Sequence, residues 1–295
     1  MNLMSTVIAG LSLGAIYALV ALGIVILYKA SEVLNFAHGT IAVLGAYVTA
    51  RTVDILGFFG AVVAGVLAAA LTALLIERLL VRKMANAPVV SLAIMTIGLE
   101  VILNTELTRQ IGVDILELHQ PWGTEAIEIF GALVPWNRIL TIVFTFVIVL
   151  IFLAAFRFSS WGVSMRAAAE DREAAEIVGL KLNRIAIVSW ATAGGLAAMA
   201  GIFLTGAPSA GLTSSLAVIA LRAFPAAIIG GLDSVAGALV GGLIIGMVEA
   251  FAITFQPELS FLGLGLGDVI AYLVMFLVLL VRPQGLFGRK EVVRA

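Results

Sequence analysis

The sequence predicts an all-α fold, a polytopic membrane bundle of about eight or nine transmembrane helices with one or two broken or short helices. Of the 295 residues, 62% are hydrophobic and 12% are charged, whereas soluble domains carry about 45–50% apolar and about 25% charged residues. The apolar runs are continuous, whereas the strands of a membrane barrel alternate apolar and polar residues. This composition excludes a soluble enzyme, a disordered chain and a nucleic-acid-binding protein.

The apolar runs follow one another with no long polar linker between them, which predicts one transmembrane domain over residues 1–295. The first run lacks a basic segment before it and a small-residue cleavage site, so we interpret it as a retained helix rather than a signal peptide. Two runs, 36–50 and 216–232, are short for a hydrocarbon core of ~30 Å. Each is either an independent span or half of a broken helix. In chain order the runs are 6–27, 36–50, 58–80, 89–107, 138–156, 186–206, 216–232, 236–255 and 265–281.

The distribution of Lys and Arg predicts the orientation, because short cytoplasmic loops are enriched in basic residues. The loop at 157–185 and the tail at 282–295 are both rich in Lys and Arg, whereas residues 110–137 contain neither. The loop at 108–137 carries four acidic residues instead, Asp114, Glu117, Glu125 and Glu128. We therefore expect a cytoplasmic loop and tail, and an extracytoplasmic loop at 108–137.

No recognised catalytic or metal-binding pattern occurs in the chain. It contains no phosphate-binding loop, no His-Glu-x-x-His and no nucleophile elbow. Its two histidines, His38 and His119, are far apart, and the absence of cysteine excludes disulfides and thiolate metal sites. We therefore expect no catalytic residues, no metal and no cofactor in this chain.

The densest polar feature is the segment from Ser164 to Lys181, which is rich in alanine and charged residues. Asp171 is a plausible N-cap and Glu173 falls in the first turn, where a negative charge is favourable. Gly179 stands where a left-handed residue would end the helix, with Leu180 as its hydrophobic follower. The small residues Ala174 and Ala175 lie between these ends. Such a helix would suit a groove on another protein; an ordinary structured loop is the alternative.

A second feature is Asn35-Phe-Ala-His-Gly39, at the start of a short apolar run. These residues interrupt a helix and expose backbone, which a membrane tolerates only beside protein or a water-filled cavity. One interpretation is a discontinuous helix next to a translocation path. The other is a simple helix start, with Asn35 as the N-cap and His38 near the interface.

Four ionisable residues lie within or beside apolar runs: Glu100, Arg222, Asp233 and Glu249. Such residues usually face the interior of a bundle or a pathway. Glu249 lies deepest in its run. Each residue is interpreted as part of a pathway, or else as a structural ion pair or an interfacial group. Thr96 could line a polar path or could bond to the backbone.

At these residues the sequence resembles the permease subunits of branched-chain amino acid ABC transporters, of the high-affinity leucine, isoleucine and valine type. The matching residues span nearly the whole chain in the order of the family. They are Gly14–Gly23, Tyr28, Asn35–Gly39, Gly45–Tyr47, Glu77–Arg78, Arg166–Asp171, Gly179–Leu180, Ala223–Phe224, Gly230–Gly231, Gly237–Gly246, Glu249–Ala250 and Arg282–Gly285. An acid at Glu100 departs from the pattern, and its role is left open.

The resemblance implies a set of partners and a place for each. Such a permease of the bacterial inner membrane docks two cytoplasmic ATP-binding subunits, which use ATP and Mg. It pairs with a second permease, different or identical, and receives its substrate from an extracytoplasmic binding protein. Its segment 164–184 corresponds to the coupling segment that contacts the ATPase. The coupling residues carried over are Arg166, Glu170, Asp171, Glu173, Ala174, Ala175, Gly179 and Leu180.

The expected function is import of branched-chain or other hydrophobic amino acids by alternating access, with no covalent chemistry in this chain. A largely uncharged path with a few hydroxyl, amide or backbone partners would suit a zwitterion with an apolar side chain. The candidate path residues are Asn35, Phe36, His38, Gly39, Thr96 and Glu249. Two alternatives remain: a permease of the same family for urea or short amides, and an ion-coupled secondary transporter using Glu249 with Glu100 and Arg222.

Overall fold

The computed structural model describes residues 3–84, 87–122, 125–129, 131–206, 211–213, 216–258 and 265–288, and it confirms the predicted all-α membrane bundle. In chain order the helices are α1 (Leu3–Ser31), α2 (His38–Ile76), α3 (Val89–Ile111), α4 (Trp136–Phe158), α5 (Ser160–Glu170), α6 (Arg172–Ile177), α7 (Leu182–Leu204), α8 (Leu216–Leu221), α9 (Ala223–Gly230), α10 (Val235–Phe255) and α11 (Leu266–Val281). The tail residues Arg289, Lys290 and Arg294 lie outside the described ranges.

Two short strands were not predicted. They are β1 (Ala126–Ile129) and β2 (Ala132–Pro135), which form an antiparallel hairpin with Ala126 opposite Pro135 and Ile129 opposite Ala132. The hairpin lies within the acidic loop, directly before α4. The hairpin does not cross the bundle and leads directly into α4, the fourth long helix.

Helix α2 is a helical hairpin that reverses at Gly57, whose φ of 67° and ψ of 168° are non-helical. The two halves pack against each other in antiparallel fashion, because the Thr49 hydroxyl donates to the Ala61 carbonyl oxygen at 3.3 Å. Further along, a Cβ on Gly65 would clash with the Gly45 carbonyl oxygen. The first half therefore spans 38–56, ~28 Å at the rise of an α-helix. The short predicted run at 36–50 is an independent span.

Helix α1 is the central helix of the bundle. Nearly all of its residues from Gly10 to Leu27 are buried. It packs on α10 through glycines, and a Cβ on Gly246 would clash with the Gly14 backbone nitrogen. Small residues allow such close approach of helices in a membrane, so these glycines let α1 and α10 pack backbone to backbone.

Helices α8 and α9 together form one crossing that is broken at Arg222. On one side of it, Leu212 exchanges backbone hydrogen bonds with Leu116 in the acidic loop, at 2.9 and 3.0 Å. On the other side, the Lys29 ammonium donates to the Asp233 carbonyl oxygen at 2.9 Å. The second short run, 216–232, is therefore a broken helix that joins opposite ends of the bundle.

The bundle has two chemically distinct ends. We call the end formed by Lys29, Arg82 and α5–α6 the basic end, and the end formed by the β-hairpin and residues 112–122 the acidic end. With α2 counted as two spans and α8–α9 as one, the described residues cross between these ends nine times. Because the number of crossings is odd, the two termini of the bundle lie at opposite ends. Helix α1 starts at the acidic end and α11 ends at the basic end.

Candidate functional site

The predicted interruption near Asn35 is present between α1 and α2, but Asn35 is not the N-cap of α2. Helix α2 begins at His38, and the residue before it, Ala37, provides no side-chain cap. The Asn35 side-chain oxygen accepts a hydrogen bond from the Ala37 backbone N–H at 3.1 Å. This bond forms an Asx-type turn, because a short amide side chain reaches its own backbone two residues on. The N-cap interpretation is wrong for this reason.

Thr96 of α3 holds the interrupted segment in place. Its hydroxyl lies 3.0 Å from the Leu34 carbonyl oxygen and accepts from the Phe36 backbone N–H at 3.3 Å. The Phe36 ring stacks on Phe224 of α9, with 5.0 Å between the ring centroids. The structure therefore brings Asn35, Phe36 and Thr96 together, beside the broken crossing formed by α8 and α9.

His38 and Gly39 form the tightest part of this segment. His38 is fully buried, and a Cβ on Gly23 of α1 would clash with its Nε2 atom. The backbone of Val20 on α1 lies within reach of the His38 ring. Gly39 faces α8, where a Cβ would lie 3.3 Å from the Ala220 side chain. The start of α2 is therefore packed tightly between α1 and α8.

Glu249, the remaining candidate of the path, belongs to a separate polar cluster inside the bundle. It is 2% exposed, and it accepts hydrogen bonds from the Tyr17 hydroxyl at 2.7 Å and from Arg222 at 2.6 Å. The second guanidinium nitrogen of Arg222 lies 2.6 Å from a carboxylate oxygen of Asp268. Four elements therefore meet through this cluster: α1, the break between α8 and α9, α10 and α11.

Sequence reasoning missed Tyr17 and Asp268. Tyr17 is the one strongly polar-tipped side chain in the middle of the first apolar run, which was an available signal. Asp268 lies in the first turn of α11, where an acid is common for electrostatic reasons alone. No spacing in the sequence relates either residue to Arg222 or Glu249.

The other two ionisable residues are also engaged. The Thr40 hydroxyl lies 3.4 Å from a carboxylate oxygen of Glu100, which joins α2 to α3. Asp233 lies in the turn between α9 and α10, at the basic end, and is therefore an interfacial residue.

The predicted caps of the charged segment are confirmed. The Asp171 carboxylate accepts from the Ala174 backbone N–H at 2.9 Å, as an N-cap does. Gly179 has a φ of +87°, and the Leu180 N–H donates to the Ala175 carbonyl oxygen at 3.0 Å, which closes the helix at its C-terminus. A second helix that was not predicted, α5, precedes it and is capped by the Ser159 hydroxyl.

The surface of α6 combines charge with two exposed apolar side chains. Glu173 and Ala174 are exposed, whereas Ala175 is buried against the bundle. Ile177 and Val178 are 86% and 75% exposed. Sequence reasoning missed these two; consecutive apolar residues just before the terminating glycine of a charged helix were the available signal. We call residues 171–180 the docking segment.

Arg166 and Glu170 lie on α5, before the docking segment. Arg166 donates to the backbone carbonyl oxygens of Phe156 and Arg157, and its guanidinium lies over the Phe156 ring. Arg166 therefore ties α5 to the end of α4. Glu170 is exposed in the last turn of α5. Through Arg166, the helix that precedes the docking segment is bonded to the end of α4.

A cavity of about 460 Å³ separates the docking segment from the ends of α1 and α2. Its wall includes Arg172 and Glu176 on one side and Glu77 and Arg82 on the other. Glu77 is buried and accepts from Arg82 at 2.9 Å.

Comparison with known proteins gives a consistent result. A family model described as branched-chain amino acid transport system / permease component matches residues 6–279. The high-affinity branched-chain amino acid transport system permease protein LivH of Salmonella typhimurium is 31% identical, with 96% of this chain and 94% of the relative covered. The corresponding protein BraD of Pseudomonas aeruginosa is 29% identical, with 96% and 95% covered.

A solved structure shares the fold. PsaBC from Streptococcus pneumoniae in complex with Fab aligns with a TM-score of 0.52 at 14% identity, and the alignment covers 96% of this chain and 92% of that chain. At this identity the likeness concerns the arrangement of helices alone.

Proposed function

The chain belongs to the family of permease components of branched-chain amino acid transport systems, and from this premise we propose that it forms the translocation path of an ATP-driven importer of branched-chain amino acids. One observation carries the proposal beyond family membership. A capped helix, α6, projects from the basic end and exposes Ile177 and Val178 to solvent. Such a surface on a polytopic membrane protein is expected to bind another protein.

We assign the basic end to the cytoplasm. The positive-inside rule supports this orientation, because Arg157, Arg172, Lys181 and Arg184 lie between the last turn of α4 and the first turn of α7 at that end. The acidic end, which carries the β-hairpin, then faces the binding protein. The whole chain acts as one transmembrane domain in this arrangement.

The docking segment would transmit movement from the ATPase to the bundle. Ile177 and Val178 would enter an apolar groove of a cytoplasmic ATP-binding subunit, while Glu173 and Glu176 pair with basic residues at its rim. ATP and Mg act in that partner, so this chain itself catalyses no reaction. Since Arg166 fixes α5 to α4, displacement of α6 would move the end of α4 with it.

The broken elements would form the moving parts of the path. The interrupted segment at Asn35–Gly39 and the break at Arg222 both lie where regular helix is absent, and such breaks in a membrane are tolerated beside a cavity or other protein. Phe36 and Phe224 connect these two breaks. A second permease subunit, different or identical, would complete the path, and alternating access would open it toward each end in turn.

The ion-coupled alternative is not favoured. It requires Glu249 to bind and release a proton or ion, but Glu249 is already bonded to Arg222 and Tyr17. The alternative substrates, urea and short amides, differ from leucine in lacking both a carboxylate and a branched side chain.

Substrate choice is tested in the complete importer reconstituted with its ATPase subunits, partner permease and binding protein. We expect leucine, isoleucine or valine to stimulate ATP hydrolysis in the presence of the binding protein, with urea and acetamide inert. Stimulation by urea or acetamide alone would contradict the substrate assignment while leaving the permease assignment intact.

A further inference from the structure

A cavity of about 200 Å³ lies at the acidic end, between the ends of α1, α4 and α10. Three kinds of side chain line it. Hydroxyls come from Ser5, Thr6 and Ser12 of α1 and from Thr254 of α10, and one guanidinium comes from Arg138 of α4. The rest of the wall is aliphatic and includes Leu13 and Ile253.

Arg138 is a half-buried cation without a counter-ion. It has no ion pair and no hydrogen bond to any residue in the described ranges. The other arginines at this end differ: Arg109 pairs with Glu106 at 2.7 Å, and Arg51 donates to the Gln110 carbonyl oxygen at 3.1 Å. A partly desolvated charge is unfavourable unless it is paired, so Arg138 favours an anion in the cavity.

Ser12 supplies a second, independent indication of a ligand. The residue is 2% exposed, and its hydroxyl has no hydrogen-bond partner in the described part of the chain. A buried hydroxyl without a partner is uncommon, because leaving it unsatisfied costs about 1–3 kcal/mol. The Thr6 and Thr254 hydroxyls, from two residues that also line the cavity, lie 3.2 Å apart. Residues with hydroxyl side chains therefore share the lining of the cavity with Arg138.

We propose that this cavity is a substrate subsite at the external entrance, which binds the carboxylate of an aliphatic amino acid. The carboxylate would accept hydrogen bonds from Arg138 and Ser12. The ammonium group would donate to the hydroxyl oxygens of Thr6 and Thr254, and the branched side chain would contact Leu13 and Ile253. The inference rests on the proposed function and adds to it a site and the chemistry by which that site selects its ligand. The phosphate of a lipid headgroup shares the oxyanion chemistry and must be distinguished by experiment.

The test uses the fact that the chain contains no cysteine. Ser5→Cys places a single thiol at the wall of the cavity, and Val113→Cys places one on a fully exposed control residue at the same end. Both variants are assembled in the full importer in phosphatidylcholine nanodiscs. Each is labelled with a sulfonate-bearing and with a trimethylammonium-bearing methanethiosulfonate reagent.

We expect the ratio of sulfonate labelling to trimethylammonium labelling to be about 10-fold higher at Ser5→Cys than at Val113→Cys. A 10-fold difference corresponds to the free energy of a charge-assisted hydrogen bond. Adding Arg138→Gln to Ser5→Cys should abolish the preference for the sulfonate reagent, whereas adding Arg138→Lys should retain part of it. Leucine should slow labelling at Ser5→Cys, whereas leucinamide, which has no carboxylate, should not.

Two results would overturn the proposal. One is labelling of Ser5→Cys that changes neither with the residue at position 138 nor with added leucine. The other is protection by added phosphatidylglycerol but not by leucine, which would assign the cavity to a lipid headgroup. If the Arg138→Gln variant does not assemble, the proposal is tested by comparing how leucine and leucinamide slow the labelling of Ser5→Cys. Neither labelling result depends on uptake, so the failure of this inference is distinct from failure of the proposed function.

Discussion

Arg222 donates a hydrogen bond of 2.6 Å to Glu249, which joins the break between α8 and α9 to the middle of α10. Arg222 is the residue before α9, and its backbone N–H donates to the Ile219 carbonyl oxygen at 3.1 Å instead of to a carbonyl four residues back. A second donor, the Tyr17 hydroxyl, binds the other oxygen of the same carboxylate. The broken crossing is therefore held to α1 and α10 by charge as well as by packing.

Removing one partner of this pair should destabilise the bundle more than removing both. In Glu249→Leu, Arg222 keeps only the exposed Asp268, and breaking a buried ion pair costs about 3–5 kcal/mol. The double variant Arg222→Met with Glu249→Leu removes both charges and should recover much of that loss. Thermal unfolding in detergent compares the stability of the original chain, of Glu249→Leu and of the double variant. A double variant as unstable as Glu249→Leu would contradict a structural pairing.

A charge on the exposed apolar end of α6 should prevent ATPase docking. Val178→Asp places a carboxylate where we expect an apolar groove, and burying an unpaired charge is strongly unfavourable. Val178 is 75% exposed, so the isolated permease should keep its stability. Co-purification with the ATP-binding subunit measures the effect, with Val113→Asp at the acidic end as the matched control. Normal assembly of Val178→Asp would remove the docking assignment.

Gly179→Ala should loosen the C-terminus of α6. Gly179 has a φ of +87°, and a residue with a Cβ pays about 1–2 kcal/mol in the left-handed region. Gly98→Ala is the control, because a Cβ there meets nothing within 4 Å and its φ is not left-handed. Amide hydrogen exchange of residues 174–180 should accelerate about 5- to 30-fold in the first variant only. Equal exchange in the two variants would show that the glycine has no conformational role.

Thr96→Val should weaken the anchoring of the interrupted segment. The substitution removes the hydroxyl near the Leu34 carbonyl oxygen and the acceptor for the Phe36 N–H, and leaving such buried groups unsatisfied costs about 1–3 kcal/mol. Thr192→Val provides the matched control, because the exposed Thr192 hydroxyl bonds only to the Val188 carbonyl oxygen of its own helix. Unfolding in detergent should show a loss for Thr96→Val alone. A similar loss in both variants would contradict the anchoring role.

Local signals were sufficient to predict the apolar spans and the caps of α6. Hydropathy located the apolar runs because the membrane requires continuous apolar helices. Asp171 and Gly179 were recognisable as caps, because capping depends on residues within one turn of the helix end. The reversal at Gly57 was not predicted, because one glycine between two apolar runs does not indicate whether the helix bends or folds back.

Contacts between distant segments could not be derived from the sequence. Tyr17, Arg222 and Glu249 are brought together only when α1, α9 and α10 pack. The cavity at Arg138 likewise combines α1, α4 and α10. In the sequence Arg138 is an ordinary basic residue near the start of an apolar run, and the absence of a counter-ion becomes visible only in the folded chain.

The central claim is that an ATPase drives transport through this chain, and uptake into proteoliposomes tests it most directly. The vesicles hold the complete importer with the basic end facing enclosed ATP and Mg, and the binding protein with radiolabelled leucine is added outside. We predict leucine accumulation that requires ATP and persists when a protonophore collapses the proton gradient. Uptake that is abolished by the protonophore and proceeds without ATP would contradict the account.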